Sequence, residues 1–62
     1  MKLGFRRVTE DWCVWLQISV FTVPKYSFIE ITQTYDEKSV VHFSCGATDW
    51  ISNSLIEKYS EA

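Results

Sequence analysis

The stretch "DWCVWLQISVF", from Asp11 to Phe21, is too apolar for a strand that keeps one face in water. Its β-branched and aromatic residues favour a strand over a buried helix, and we predict one strand from Trp12 to Val23. Alternate residues then form two stripes: Trp12, Val14, Leu16, Ile18 and Val20 on one, and Cys13, Trp15, Gln17, Ser19 and Phe21 on the other. The first stripe is a core face. The second carries two large aromatic residues that need a cover.

Three other segments alternate like strands: "LGFRRV" (3–8), "YSFIEITQTY" (26–35) and "SVVHFSC" (39–45). The last two are separated only by the turn "DEK", so we predict that they pair as a hairpin. Val41 and Phe43 would share one face of it, with Val40 and His42 opposite.

The pattern changes after Gly46, where "ATDWISNSLIEKYSEA" predicts an amphipathic helix. Thr48 or Asp49 suits the N-cap, and Trp50, Ile51 and Leu55 then fall on one face. The predicted fold is therefore α+β: a single domain (1–62) with a small antiparallel sheet of three to four strands, followed by one C-terminal amphipathic helix packed on one face.

Composition limits the partners of the chain. At 62 residues it lies near the lower size limit for a stable core, and its net charge of -2 does not suit a surface that binds phosphates. The apolar run is shorter than the roughly 20 residues that cross a bilayer, and the N-terminus lacks a convincing signal peptide. We expect a cytoplasmic protein that does not bind membranes, and the charge disfavours nucleic acid as a partner.

Two cysteines, Cys13 and Cys45, are few for a secreted scaffold, so reduced thiols are the favoured interpretation. A single disulfide across the sheet is the alternative.

The residues with reactive side chains do not form a recognisable catalytic set. His42 and Cys45 have H-x-x-C spacing, but residues three apart on a strand point to opposite faces. Glu30 lies in the middle of a strand, where it is solvated or, at an interface, paired with an arginine. We predict no enzyme, no metal and no cofactor.

One short helix covers only one face of such a sheet, which leaves an aromatic face on the other side. The predicted partner-binding residues on that face are Trp15, Phe21, Tyr26, Phe28, Val40 and His42. An exposed apolar patch of this kind commonly marks an interaction site. The alternative is that the sheet curls, or that the N-terminal segment folds back over the second face.

The leading hypothesis is a small non-catalytic protein-binding module that uses its aromatic sheet face, either with a protein partner or as a homodimer. By analogy with other compact proteins, its size and composition suit an inhibitor, adaptor or accessory subunit, including those that phages and mobile elements encode. The alternative is a nucleic-acid-associated regulator whose aromatic residues stack on bases.

Overall fold

The computed structural model describes all residues from Met1 to Ala62 and contains two sheets and one helix. The elements are β1 (Gly4–Val8), β2 (Trp12–Trp15), β3 (Val20–Val23), β4 (Phe28–Thr34), β5 (Lys38–Phe43), β6 (Thr48–Ser52), α1 (Asn53–Tyr59) and β7 (Ser60–Glu61). Five strands form an antiparallel sheet in the order β6-β5-β4-β1-β7, and β2 pairs with β3 in a separate hairpin. The α+β class is confirmed, but the sheet is larger than predicted and the helix has only seven residues.

The predicted single strand from Trp12 to Val23 is wrong, because the chain reverses in the middle of it. Trp15 pairs with Val20, and the Leu16 amide donates to the Ser19 carbonyl at 2.8 Å. Type I′ and II′ hairpin turns need a residue with positive φ, and the only non-glycine residue with positive φ lies outside this turn. The turn is therefore of neither type, and it has no Asn-Gly or Asp-Gly sequence. The sequence therefore carries no conventional signal for the turn.

This reversal changes which residues share a face. On β2 the even-numbered Trp12 and Val14 point into the core, whereas on β3 the odd-numbered Phe21 and Val23 do so. Trp15 points outward, so Phe21 does not share its face as predicted. The predicted core residue Ile18 is also misplaced, because the turn leaves it 97% exposed.

The core side of the five-stranded sheet agrees with the sequence pattern. Ile29 and Ile31 of β4 and Val41 and Phe43 of β5 are all buried. The β2–β3 hairpin covers this side: the rings of Trp12 and Phe21 pack edge-on against Phe43, at centroid distances of 5.7 Å and 5.1 Å.

The segment predicted to start the helix is instead the edge strand β6. Gly46, at φ 95°, closes the turn from β5, and its amide donates to the Phe43 carbonyl at 2.9 Å. Positive φ at this position is typical of a hairpin loop with a glycine bulge. Thr48 and Asp49 therefore lie in β6, and neither is the N-cap, which is Ser52.

The helix α1 packs on the same side of the sheet as the hairpin. Ile56 is fully buried, and the Tyr59 ring stacks on Trp12 at 5.3 Å between centroids. Hairpin and helix together therefore cover one face of the sheet. No helix of the chain has the length and hydropathy that a membrane span requires.

The N-terminal strand β1 lies inside the sheet, between β4 and β7. The Arg6 side chain fixes β7 beside it, donating to the Ser60 hydroxyl at 2.8 Å and to the Ser60 carbonyl at 2.9 Å. The alternative in which this segment folds back over the second face is therefore wrong, and that face has no cover.

Candidate functional site

The face of the five-stranded sheet that points away from the core, here called the outer face, has no covering element. Four strands contribute to it, and cross-strand pairing defines its rows. Its residues are Phe5 and Arg7 of β1, Phe28 and Glu30 of β4, Val40 and His42 of β5, and Thr48 and Trp50 of β6. None of them is buried.

Large aromatic side chains dominate the exposed area of the outer face. Phe5 is 68% exposed, Phe28 58% and Trp50 42%. The exposure of Phe28 and Trp50 follows from strand alternation, because Phe28 is next to the buried Ile29 and Trp50 is next to the buried Ile51. The same alternation that builds the core therefore places aromatic rings in water on the other side.

Tyr26 extends the outer face beyond the start of β4, from a turn with an unusual backbone. The Ser27 amide donates to the Pro24 carbonyl at 3.1 Å, and Tyr26 between them has φ 74°. A turn with positive φ at its third residue is of type II, and glycine is the usual residue there. The Tyr26 amide donates to the Val8 carbonyl at 2.7 Å, which holds the turn against β1.

Cations lie over the Tyr26 ring. The Arg7 guanidinium carbon is 4.9 Å from the ring centroid, and the Lys25 ammonium is 5.0 Å from it. Both distances fall within the range of cation–π attraction. The contacts orient Tyr26 next to Arg7 at one end of the outer face.

Four residues in the middle of the outer face form a square of two aromatic and two charged corners. Phe5 lies opposite Glu30, and Arg7 lies opposite Phe28, so the charges occupy one diagonal and the phenylalanines the other. Glu30 is half-buried but forms no ion pair within the chain. The one ion pair, from Arg7 Nε to Glu61 Oε1, is long at 4.0 Å and joins two exposed side chains.

The opposite end of the outer face is built around Trp50. The Tyr35 ring lies 5.1 Å from it between centroids, and the Lys38 ammonium lies 5.1 Å from its ring. Between the two ends, His42 Nδ1 is 2.8 Å from the Thr48 hydroxyl. The outer face thus has an aromatic group at each end and a charged pair near its centre.

The structure brings together four of the six residues predicted as partner-binding: Tyr26, Phe28, Val40 and His42. The other two lie elsewhere. Phe21 is half-buried against Phe43.

Trp15, the other of these two, is 78% exposed on the far side of the hairpin. It borders a shallow apolar groove of about 190 Å³ together with Leu55 of the helix. Trp15 therefore belongs to a separate surface, on the core side of the sheet.

Sequence reasoning missed three aromatic residues of the site: Phe5, Tyr35 and Trp50. Phe5 belongs to "LGFRRV", in which only Val8 is buried, so the apolar Leu3 and Phe5 face solvent. Trp50 was placed on a helix, although the alternation of Asp49 and Ile51 with exposed neighbours in "TDWIS" indicates a strand.

The groups with reactive side chains are dispersed. Cys13 and Cys45 are exposed free thiols, which agrees with the favoured interpretation of reduced cysteines. The chain contains no cluster of three or more histidine, cysteine, aspartate or glutamate side chains placed to hold a metal ion.

Comparison with protein-family models, with curated proteins and with solved structures finds no match to this chain. A function must therefore be argued from the surface itself.

Proposed function

We propose that this chain is a small protein-binding module whose outer face docks onto another protein. The observation that carries the proposal is a whole sheet face without cover, on which Phe5, Phe28 and Trp50 stay exposed. Large exposed apolar patches rimmed by polar groups are uncommon on monomeric proteins and mark interaction sites. Docking would remove these rings from water, which is favourable in proportion to the apolar area buried.

The residue types on the outer face suit a protein interface. Tryptophan, tyrosine and arginine are enriched among residues that dominate binding energy, and Trp50, Tyr26 and Arg7 occupy this face. The molecule measures 24 × 24 × 18 Å. Its broadest face, 24 × 24 Å in projection, is close to the roughly 600 Å² per partner at the lower end of stable interfaces.

The charged diagonal specifies the chemistry of the partner. A partner that desolvates Glu30 has to offer a cation, since an unpaired buried carboxylate is costly. It also has to offer an anion or a polar acceptor to Arg7. The expected partner surface is therefore apolar, with one basic and one acidic group spaced to match the diagonal.

The charges on the outer face favour a protein over a nucleic acid. Lys25 lies at one end and Lys38 at the other, with Arg7 and the Glu30 carboxylate between them. Proteins that stack bases on aromatic rings combine them with a continuous basic groove. The interrupted pattern here does not favour the nucleic-acid alternative.

A module of this size acts stoichiometrically, as an inhibitor, adaptor or accessory subunit that occupies a surface of its partner. The outer face belongs to a hydrogen-bonded sheet, so docking would order little backbone that is not already paired.

Peptide selection tests this proposal without a known partner. Random linear peptides displayed on phage are panned on the immobilised parent, and each selected peptide is then measured on Phe28→Asp and on the matched control Trp15→Asp. We expect Phe28→Asp to weaken binding at least about tenfold and Trp15→Asp to leave it unchanged. If the parent is a monomer, peptides that bind Phe28→Asp as tightly as the parent would overturn the proposal.

A further inference from the structure

The square of Phe5, Arg7, Phe28 and Glu30 is complementary to itself. Consider a second copy that faces the first and is related to it by a two-fold axis lying between the faces, parallel to the Phe5–Phe28 diagonal. Phe5 then stacks on Phe5 of the second copy, and Phe28 stacks on Phe28 of the second copy. The same rotation exchanges the other two corners. Glu30 then faces Arg7 of the second copy, and Arg7 faces the second copy's Glu30.

The dimensions of the sheet permit this arrangement. Paired residues on neighbouring strands lie about 5 Å apart, and residues two apart on one strand about 7 Å. The four positions therefore form a slightly oblong figure, so Arg7 and Glu30 of the two copies do not lie directly opposite each other. The arginine side chain is long enough to bridge this offset of a few ångströms. Strands of the two copies cross at a steep angle, which is one of the two common ways in which sheets pack face to face.

Neither charged group has a close ion pair within the chain, and the other contact of the Arg7 guanidinium is with the exposed Tyr26 ring, 4.9 Å from its centroid. Glu30 has no ion-pair partner of its own. Arg7 contacts Glu61 at 4.0 Å between side chains that are 47% and 60% exposed, and such a contact contributes little. Exchanging it for a pair shielded by four phenylalanine rings strengthens the attraction, because the surroundings are less polar.

We propose that the outer face binds a second copy of this chain, as a two-fold dimer held by the reciprocal pairs Glu30–Arg7 and by stacked Phe5 and Phe28. This inference rests on the proposed function, since it requires the outer face to be an interface. The proposed function calls for a partner surface that is apolar and carries one basic and one acidic group. The outer face of a second copy has these properties.

Charge reversal tests the dimer. Glu30→Arg alone puts two arginines against each other at both contacts, and Arg7→Glu alone puts two glutamates there, so each variant should dimerise at least about tenfold more weakly than the parent. An equimolar mixture of the two variants restores both opposite-charge contacts. The double variant Glu30→Arg/Arg7→Glu restores them within one chain.

The measurement is the mass by sedimentation equilibrium, with Glu57→Arg as the matched control, because it makes the same charge change on the helix, across the molecule from the outer face. We expect a dimer for the parent, the control, the mixture and the double variant, and a shift to monomer for each single variant. Assembly in the mixture also shows that both single variants are folded.

Three results would overturn the inference: a monomeric parent, single variants that dimerise as tightly as the parent, or a mixture that stays monomeric. A monomeric parent whose selected peptides still require Phe28 would leave the proposed function standing. A monomeric parent whose peptides ignore Phe28 would remove the proposed function as well.

Discussion

Tyr26 is the residue whose backbone conformation is least expected for its type. Its φ of 74° lies in the left-handed region, which costs a non-glycine residue roughly 1 kcal/mol. Residues held in such conformations cluster at functional sites. Here the conformation brings the ring next to Arg7 on the outer face, where the proposed partner would contact it.

Comparing two substitutions isolates the backbone cost. Tyr26→Ala and Tyr26→Gly both remove the ring and its cation contacts, but only glycine adopts positive φ freely. We expect the glycine variant to be more stable than the alanine variant by about 1 kcal/mol in urea unfolding. Equal stability of the two would mean that the turn does not hold this conformation.

Trp12 is the residue on which hairpin, sheet and helix converge. Its ring stacks on Tyr59 and packs edge-on against Phe43, and only 2% of it is exposed. Trp12→Ala should cost roughly 3–5 kcal/mol, which is comparable to the stability of a domain this small. Thermal melts should show an unfolded or barely folded chain, whereas the exposed Trp15→Ala should melt within a few degrees of the parent.

At the scale of elements, Asn53 connects the start of the helix to the β4–β5 turn. Its side-chain amide donates to the Tyr35 carbonyl at 3.1 Å, and its backbone amide donates to the Glu37 carbonyl at 2.9 Å. The buried Ser39 hydroxyl donates to Asn53 Oδ1 at 2.6 Å. These bonds replace the missing side-chain cap and fix where β6 gives way to the helix.

Removing this connection should loosen the helix. Asn53→Ala should cost about 1–2 kcal/mol, because it breaks the bond to a fully buried hydroxyl. Ser39→Ala should cost less in the Asn53→Ala background than in the parent, since the two share a bond. Urea unfolding of the four proteins measures this coupling, and strictly additive costs would contradict it. Ser54→Ala, at an exposed neighbouring position, is the control.

How far the sequence predicts these elements depends on whether each has a local signal. The faces of β4 and β5 are predictable because Ile29, Ile31, Val41 and Phe43 recur at every second position, and all but one of their neighbours are polar or aromatic. The hairpin turn at Gln17 and Ile18 is not, because its residues lack the conformational signature of a turn. The edge strand β6 is hard to predict because "TDWIS" continues into the helix without a turn residue that would separate the two elements.

The site was predicted in part for the same reason. Phe28, Val40 and His42 belong to strands whose alternation of buried and exposed residues is clear from the sequence. Trp15 was placed with them only because the turn at Gln17 and Ile18 was missed, so that Trp12 to Val23 was predicted as one strand of the sheet. Which of two apolar faces is covered depends on the hairpin, the helix and the sheet together, and no single segment carries that information.

At the scale of the whole molecule, the chain has two exposed apolar surfaces on opposite sides. The outer face combines aromatic rings with a charged pair, whereas the surface around Trp15, Ile18 and Val20 on the hairpin has no charged residue between Trp12 and Pro24. Charge pairs give an interface specificity and register, which plain apolar surfaces lack. We therefore propose that the outer face, and not the hairpin surface, binds the partner.

The most direct test of that assignment is the mass by light scattering over a dilution series of the parent, Phe28→Asp and Trp15→Asp. We predict a dimer for the parent and for Trp15→Asp, and a folded monomer for Phe28→Asp. The reverse pattern, in which Trp15→Asp separates the copies and Phe28→Asp does not, would contradict the account and place the interface on the hairpin.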